Sequence, residues 1–209
     1  DAGIVGKPSI VRRRHCINVL LNPAFVQGDS AWHVDPVANI GMFFDDAAHA
    51  ADWFYWMLGA PVSVMAEIDN IVTDVAPDDN GLAIFRFAGG IMGVLLNSST
   101  TVAAIGTTEI YGDAGTILQD YGDAPATSAP RPAAAVPLRS IRQGDKDWTQ
   151  YPLPIPAGQG ERIAAVPLPF LQYLRGERDA PVTARQGRVS VEMVLAAYRS
   201  AATGRRICF

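Results

Sequence analysis

The chain has 209 residues, a formal net charge of -4, and 49% hydrophobic against 18% charged residues. That balance describes one globular domain able to bury a core without staples, and it excludes a disordered chain. It leaves no electrostatic footprint for nucleic acid, because the basic run Arg12-Arg13-Arg14-His15 is too short, and no apolar stretch approaches the ~20 residues of a membrane helix.

The sequence begins at Asp1 without methionine, and "DAGIVGKPSIVRRR" reads as a turn feeding a strand. A longer polypeptide with a segment upstream is therefore expected. No signal-peptide order is present, and the cytoplasm is the expected compartment. Cys16 and Cys208 lie at opposite ends with no metal-ligand spacing and are expected to be inert.

In chain order, the Ile- and Val-rich run from Pro8 to Leu21 suits a strand, and residues 22–40 carry the turn formers of a loop. An alanine-rich helix is expected from Asp46 to Leu58, stopped by Gly59 and Ala60-Pro61. Strands follow: "VSVMAEIDNIVTDV", then "LAIFRF" and "IMGVLLNSS" around the hairpin turn Ala88-Gly89-Gly90. "TTEIYG" and "TILQDYG" form a second hairpin, residues 123–137 read as loop, and "DWTQYPL" as an edge strand. "RIAAVPLPFLQYLRGE" and "ARQGRVSVEMVLAAYRSAATGRR" read as two helices, the second with Val191, Val194, Leu195 and Tyr198 on its apolar face. No internal repeat is visible. The expected class is α+β, a mainly antiparallel open sheet with helices on one face, in a single domain.

Asp45 and His49 stand four apart at the start of the first long helix, so both project from one side. A carboxylate beside an imidazole suits acid–base work on a hydroxyl, but a helix cap followed by an unreactive histidine explains the same spacing. His33, Asp35, Asp45 and His49 could supply metal donors, yet the first two lie on a loop and no ligand signature joins them, so no metal is expected. "GQGERI" at Gly158 follows a proline-interrupted stretch, and "GIVGK" at Gly3 lacks a preceding strand, so neither is a nucleotide loop. The run Trp53-Phe54-Tyr55-Trp56 suits core packing, with at least one ring left to meet another domain or subunit.

Taken together, "GIVGKP", "AWHVDP", "GMFFDDAAHAADWFYWMLGAPVSV", "TTEIYGDAGTI" and the block from "FLQYLRGERDAP" to "AATGRRI" resemble the C-terminal domain of the Gfo/Idh/MocA family of NAD(P)-dependent oxidoreductases, over nearly the whole chain. The resemblance implies that His49 is the acid–base residue acting on a substrate hydroxyl, with Asp45 binding and orienting it, while hydride passes to a nicotinamide. The usual glycine triplet appears here as Asn39-Ile40-Gly41, and Asp46 stands at a commonly apolar position. Trp32, His33 and Asp35 of the loop are candidates for lining a substrate pocket, as are Arg12 to His15, whose strand parity the sequence does not settle.

The same resemblance implies an N-terminal Rossmann half that these residues lack. NAD or NADP is expected in the full-length protein, and this segment alone is expected neither to hold the cofactor nor to turn over. The implied substrate is a sugar, cyclitol or related cyclic alcohol, and the implied assembly a homodimer or tetramer through the sheet face. The alternative is a stand-alone, non-catalytic module that binds carbohydrate or assembles subunits.

Overall fold

A computed structural model of the chain describes residues 3–121, 127–154 and 159–209. Residues 123–126 of the expected loop, Gly122 of the second hairpin strand, part of the proline-rich stretch and Gly158 of the "GQGERI" motif lie outside the described residues. The strands are β1 (Pro8–Cys16), β2 (Pro61–Asp69), β3 (Asn80–Phe87), β4 (Met92–Ser98), β5 (Gly106–Gly112), β6 (Gly115–Asp120), β7 (Leu138–Arg142), β8 (Thr149–Tyr151) and β9 (Ile207–Cys208). The helices are α1 (Pro23–Gln27), α2 (Met42–Leu58), α3 (Gln159–Ala165), α4 (Pro167–Leu174) and α5 (Ala184–Thr203).

The strands form one open sheet in the order β8-β7-β6-β5-β1-β4-β3-β2-β9. Every neighbouring pair is antiparallel except β1 and β4, which run parallel. The expected hairpins are in place. Gly89 and Gly90 take φ of 76° and 86° between β3 and β4, a left-handed turn that glycine adopts without steric cost.

Helices α2 and α5 pack against each other and cover one face of the sheet. Small residues make that contact close: Ala47, Ala50 and Ala51 of α2 meet Ala196 and Ala197 of α5 in the same core as Phe43, Phe54, Phe85, Leu95 and Met193. Burying a ring such as Phe54 contributes about 2–3 kcal/mol by area. Among the described residues no helix covers the middle of the other face, and Met65, Leu82 and Ile84 are 40%, 40% and 39% exposed on it. Cross-strand pairing of Met65 with Ile84, and of Leu82 with Leu96, makes this strip continuous.

Several boundaries differ from the sequence expectation for physical reasons. Helix α2 starts at Met42, a turn earlier than Asp46, because its first N–H groups are capped from distant elements. Strand β1 stops at Cys16, and the expected loop 22–40 contains α1, whose N-terminus Asn22 caps by accepting from Ala24 N–H. Strands β7 and β9 were not expected. Both are short, and what makes them strands is pairing with β6 and β2. The first C-terminal helix is two, divided where Pro167 has no N–H to continue the ladder. On α5 the buried face is Ser190, Met193, Val194, Ala197 and Ser200, whereas Val191 and Leu195 are 40% and 39% exposed. Small side chains, not the largest apolar ones, allow the helix to approach the sheet.

Candidate active site

The N-terminus of α2 is built from three parts of the chain. Asp78, in the loop before β3, accepts the N–H of Phe43 at 2.7 Å and the hydroxyl of Tyr198 at 2.6 Å. That hydroxyl accepts in turn from the N–H of Phe44 at 3.0 Å. Two of the helix's orphan donors are thereby satisfied by residues from elsewhere. Gly41 precedes the helix with φ 167°, an extended value open to any residue, so its requirement is space. A Cβ there would lie 1.8 Å from Asp78 Oδ2 and 2.6 Å from the Tyr198 hydroxyl.

The neighbouring Asp79 fixes the preceding loop. Its carboxylate accepts the N–H groups of Ile71, Val72 and Thr73 at 2.8, 2.8 and 2.6 Å, and the side-chain amide of Asn80 at 2.7 Å. Burial pushes Asp79 up, but the N–H groups of Thr73 and Ile71, the Asn80 amide and the Val72 N–H outweigh it and hold the carboxyl below its ordinary value. Asp78 goes the other way. Burial raises it, with Asp79 and Asp46 adding repulsion, and the donors Tyr198 and Phe43 only partly offset this.

On this scaffold all three histidines of the chain gather around the first two turns of α2. Asp45, half-buried, has Oδ2 at 3.5 Å from His33 Nε2. His33 Nδ1 lies 2.7 Å from the Ser30 carbonyl, so it donates there and leaves Nε2 facing Asp45. Asp46, buried, has Oδ1 at 3.3 Å from Nε2 of the buried His15, and its Oδ2 accepts from Ser99 Oγ at 3.1 Å. His49 is exposed, and its ring stacks on that of His15 with centroids 6.2 Å apart and planes 16° from parallel. The carboxyl of Asp45 is raised above its ordinary value, first by burial and then by Asp46, against the opposing fields of His33, His49 and His15. A carboxyl moved toward neutrality beside an accessible imidazole is an arrangement suited to proton transfer.

The other sequence candidates divide. Trp32 is 50% exposed and stacks on His33 with centroids 3.5 Å apart, so it borders the cluster. Asp35 is exposed, and its Oδ1 accepts the N–H of Val37 at 2.8 Å, a local turn bond. Strand parity separates the basic run. Arg13 and His15 lie under α2, with Arg13 donating to Thr108 Oγ1 at 2.6 Å and its guanidinium 5.3 Å from the Trp53 ring centroid. Arg12 and Arg14 lie on the opposite face, where both donate to Glu109, which also accepts the Tyr111 hydroxyl. Burial opposes ionisation of Glu109, but Arg12, Tyr111 and Arg14 together hold its carboxyl below the ordinary value.

Among the described residues no group of three or more His, Cys, Asp or Glu side chains is arranged to hold a metal ion, and no helix is long and apolar enough to cross a membrane. Asp78, Tyr198 and Ser99 carry no sequence signal for this site. The available hint was Gly41, a helix start without a capping side chain, which requires a cap from elsewhere.

An open sheet flanked on one face by an α2-like and an α5-like helix defines the class: it is the fold of one part of a group of oxidoreductases. Levoglucosan dehydrogenase in complex with NADH is 18% identical at a TM-score of 0.78, over 99% of this chain and 59% of that one. Aldose-aldose oxidoreductase from Caulobacter crescentus, complexed with glycerol, is 19% identical at a TM-score of 0.73, over 99% and 57%. The WlbA dehydrogenase from Bordetella pertussis, in complex with NADH and UDP-GlcNAcA, is 22% identical at a TM-score of 0.69, over 99% and 56%. The chain thus spans less than two thirds of the length of these structures. Residues 1–118 match the family model of the GFO/IDH/MocA C-terminal domain, and the chain belongs to that family. No curated protein sequence matches it.

Proposed function

We propose that this chain is the substrate-binding and acid–base half of an NAD(P)-dependent oxidoreductase acting on a sugar, cyclitol or related cyclic alcohol. The observation that carries the reading is the pairing on α2: exposed His49 stands one turn after half-buried Asp45, whose carboxyl is raised and which reaches His33. The names of the related structures support the substrate class, since they include a levoglucosan dehydrogenase, an aldose-aldose oxidoreductase and a complex with UDP-GlcNAcA.

The described residues do not fit a dinucleotide. The parallel pair β1 and β4 is not joined by one crossover helix opening on a glycine-rich turn, the unit that cradles a pyrophosphate. The reading therefore assigns NAD(P) to a Rossmann half upstream, where the nicotinamide supplies the hydride acceptor. What this chain supplies is the proton half of the reaction. His49 takes the proton from the substrate hydroxyl as the carbinol carbon loses hydride, and returns it in reduction. Asp45 accepts a hydrogen bond from substrate and stabilises the imidazolium that His49 becomes. Trp32 and His33 border the space above Asp45. The uncovered apolar strip of Met65, Leu82 and Ile84 is the surface through which copies would associate.

The test uses the complete polypeptide with its upstream segment. Activity on myo-inositol and glucose with NAD and NADP identifies a working pair. His49→Ala is then expected to lower turnover by about 10²–10⁴-fold while leaving cofactor affinity unchanged. Unchanged turnover removes His49 from the mechanism, and a native gene that begins at this segment removes the dehydrogenase reading altogether.

A further inference from the structure

Behind the exposed histidine lies a second imidazole–carboxylate pair that the proton transfer does not use. His15 projects from β1 beneath α2 and is 5% exposed, and Asp46, also under the helix, is 8% exposed. Nε2 of the ring lies 3.3 Å from Asp46 Oδ1, and Ser99 Oγ donates to Asp46 Oδ2 at 3.1 Å. Both carboxylate oxygens are therefore engaged, one on a strand and one beyond β4. Such a pair adds little to the net stability of a helix lying on a sheet. Apolar side chains of the same volume would join β1 to α2 without desolvating a carboxylate. What it does add is a direction: a carboxylate fixed at both oxygens sets the plane of the imidazole that faces it.

His49 needs such a reference. Among the described residues its exposed ring makes no hydrogen bond, which leaves both nitrogens open to a substrate but also leaves the side chain free to turn. Its contact with His15 is a stack, with centroids 6.2 Å apart and planes within 16°. No hydrogen bond joins the two rings, so the contact orients His49 without occupying its nitrogens. Asp45 and His33, the other titratable groups at this end of the helix, face each other at 3.5 Å.

We propose that His15 is a positioning residue for His49: Asp46, anchored by Ser99, holds a proton on His15 Nε2 and fixes its ring, and the fixed ring keeps His49 in one side-chain orientation. The proposal rests on the acid–base reading of His49 for its purpose, but its geometry can be measured independently of turnover.

The chain contains only three histidines, so ring-¹⁵N histidine labelling gives three resolvable imidazoles. In the wild-type chain His15 is expected to show a protonated Nε2 and ring-to-ring nuclear Overhauser contacts with His49, and His49 a single side-chain rotamer. A His15 ring unprotonated at Nε2, or no contact between the rings, overturns the proposal without any variant being needed. In Asp46→Asn and His15→Gln the His49 signals are expected to shift and its rotamer to become averaged, while the backbone amide spectrum of the sheet stays in place. Folded variants with unchanged His49 signals overturn it. The acid–base reading fails separately, on unchanged turnover of His49→Ala in the complete polypeptide. Averaging of His49 in Asp46→Asn would still support the positioning geometry in that case.

Discussion

The hydroxyl of Tyr198, near the C-terminal end of α5, donates to Oδ2 of Asp78 at 2.6 Å and accepts the N–H of Phe44 at 3.0 Å. One side chain thus ties the start of the catalytic-candidate helix to the last helix and to the loop before β3. The first prediction concerns this tie. Tyr198→Phe leaves a buried carboxylate oxygen without its donor and a helix N–H without its acceptor, and is expected to cost about 1–3 kcal/mol in urea denaturation. Asp45 and His49 lie within the next two turns, so turnover of the complete polypeptide should fall as well.

Gly41→Ala is expected to be as damaging or worse. The added methyl would overlap Asp78 Oδ2 at 1.8 Å, and Asp78 cannot retreat without releasing Phe43. A cost of about 1–3 kcal/mol or more is expected from such overpacking, read as a lowered urea midpoint. A variant as stable as wild type would show that the cap can rearrange.

Adjacent Asp78 and Asp79 should give opposite pH signatures. Asp79 is depressed on folding, so its stabilisation is present above the unfolded value of about 3.9 and is lost as pH falls through the lower folded value. Asp78 is raised, so the folded state holds its proton more tightly than the unfolded state. Its contribution is most favourable below about 3.9 and declines as pH rises through the folded value. Urea midpoints from pH 2 to 7 should therefore show Asp79→Asn penalised at neutral pH and converging on wild type in acid. For Asp78→Asn, the difference from wild type should change with the opposite slope.

Asn97 is fully buried on β4, and neither its amide nitrogen nor its oxygen has a partner among the described residues. Asn97→Leu removes two desolvated polar atoms while keeping the forked shape of the side chain, and is expected to stabilise the chain by about 1–2 kcal/mol. Loss of stability instead would reveal a buried water bonded to that amide.

Burial pushes the Cys16 thiol up to about 11, whereas Cys208 is exposed. At pH 8 roughly a thousandth of Cys16 is thiolate, so iodoacetamide should label Cys208 alone in the folded chain and Cys16 only on unfolding.

Much of this architecture is legible in the sequence where the cause is local. The body of α2 follows from an alanine-rich run without Gly or Pro, and its end follows from Gly59, whose φ of 78° suits no other residue as well. The hairpin at Ala88-Gly89-Gly90 is legible for the same reason. The capping box of α5, in which Thr183 and Gln186 bond reciprocally, is written as Thr-x-x-Gln. The Asp45–His49 pair is legible because a helix repeats its face every turn, and the family resemblance singles that pair out.

What the sequence alone determined is therefore the class of sheet and helix, the family, and two residues on one side of one helix. Only the tertiary structure decided which arginines of the run Arg12-Arg13-Arg14 face Glu109 and which lies under Trp53, because a strand's two faces exchange with a one-residue change of register. It alone brought His15 to Asp46, His33 to Asp45, and Asp78 and Tyr198 to the head of α2. These pairs lie between 12 and 154 residues apart. No propensity or spacing rule reaches across such separations. They are set by burial, where a carboxylate removed from water must find its donors wherever the folded chain places them.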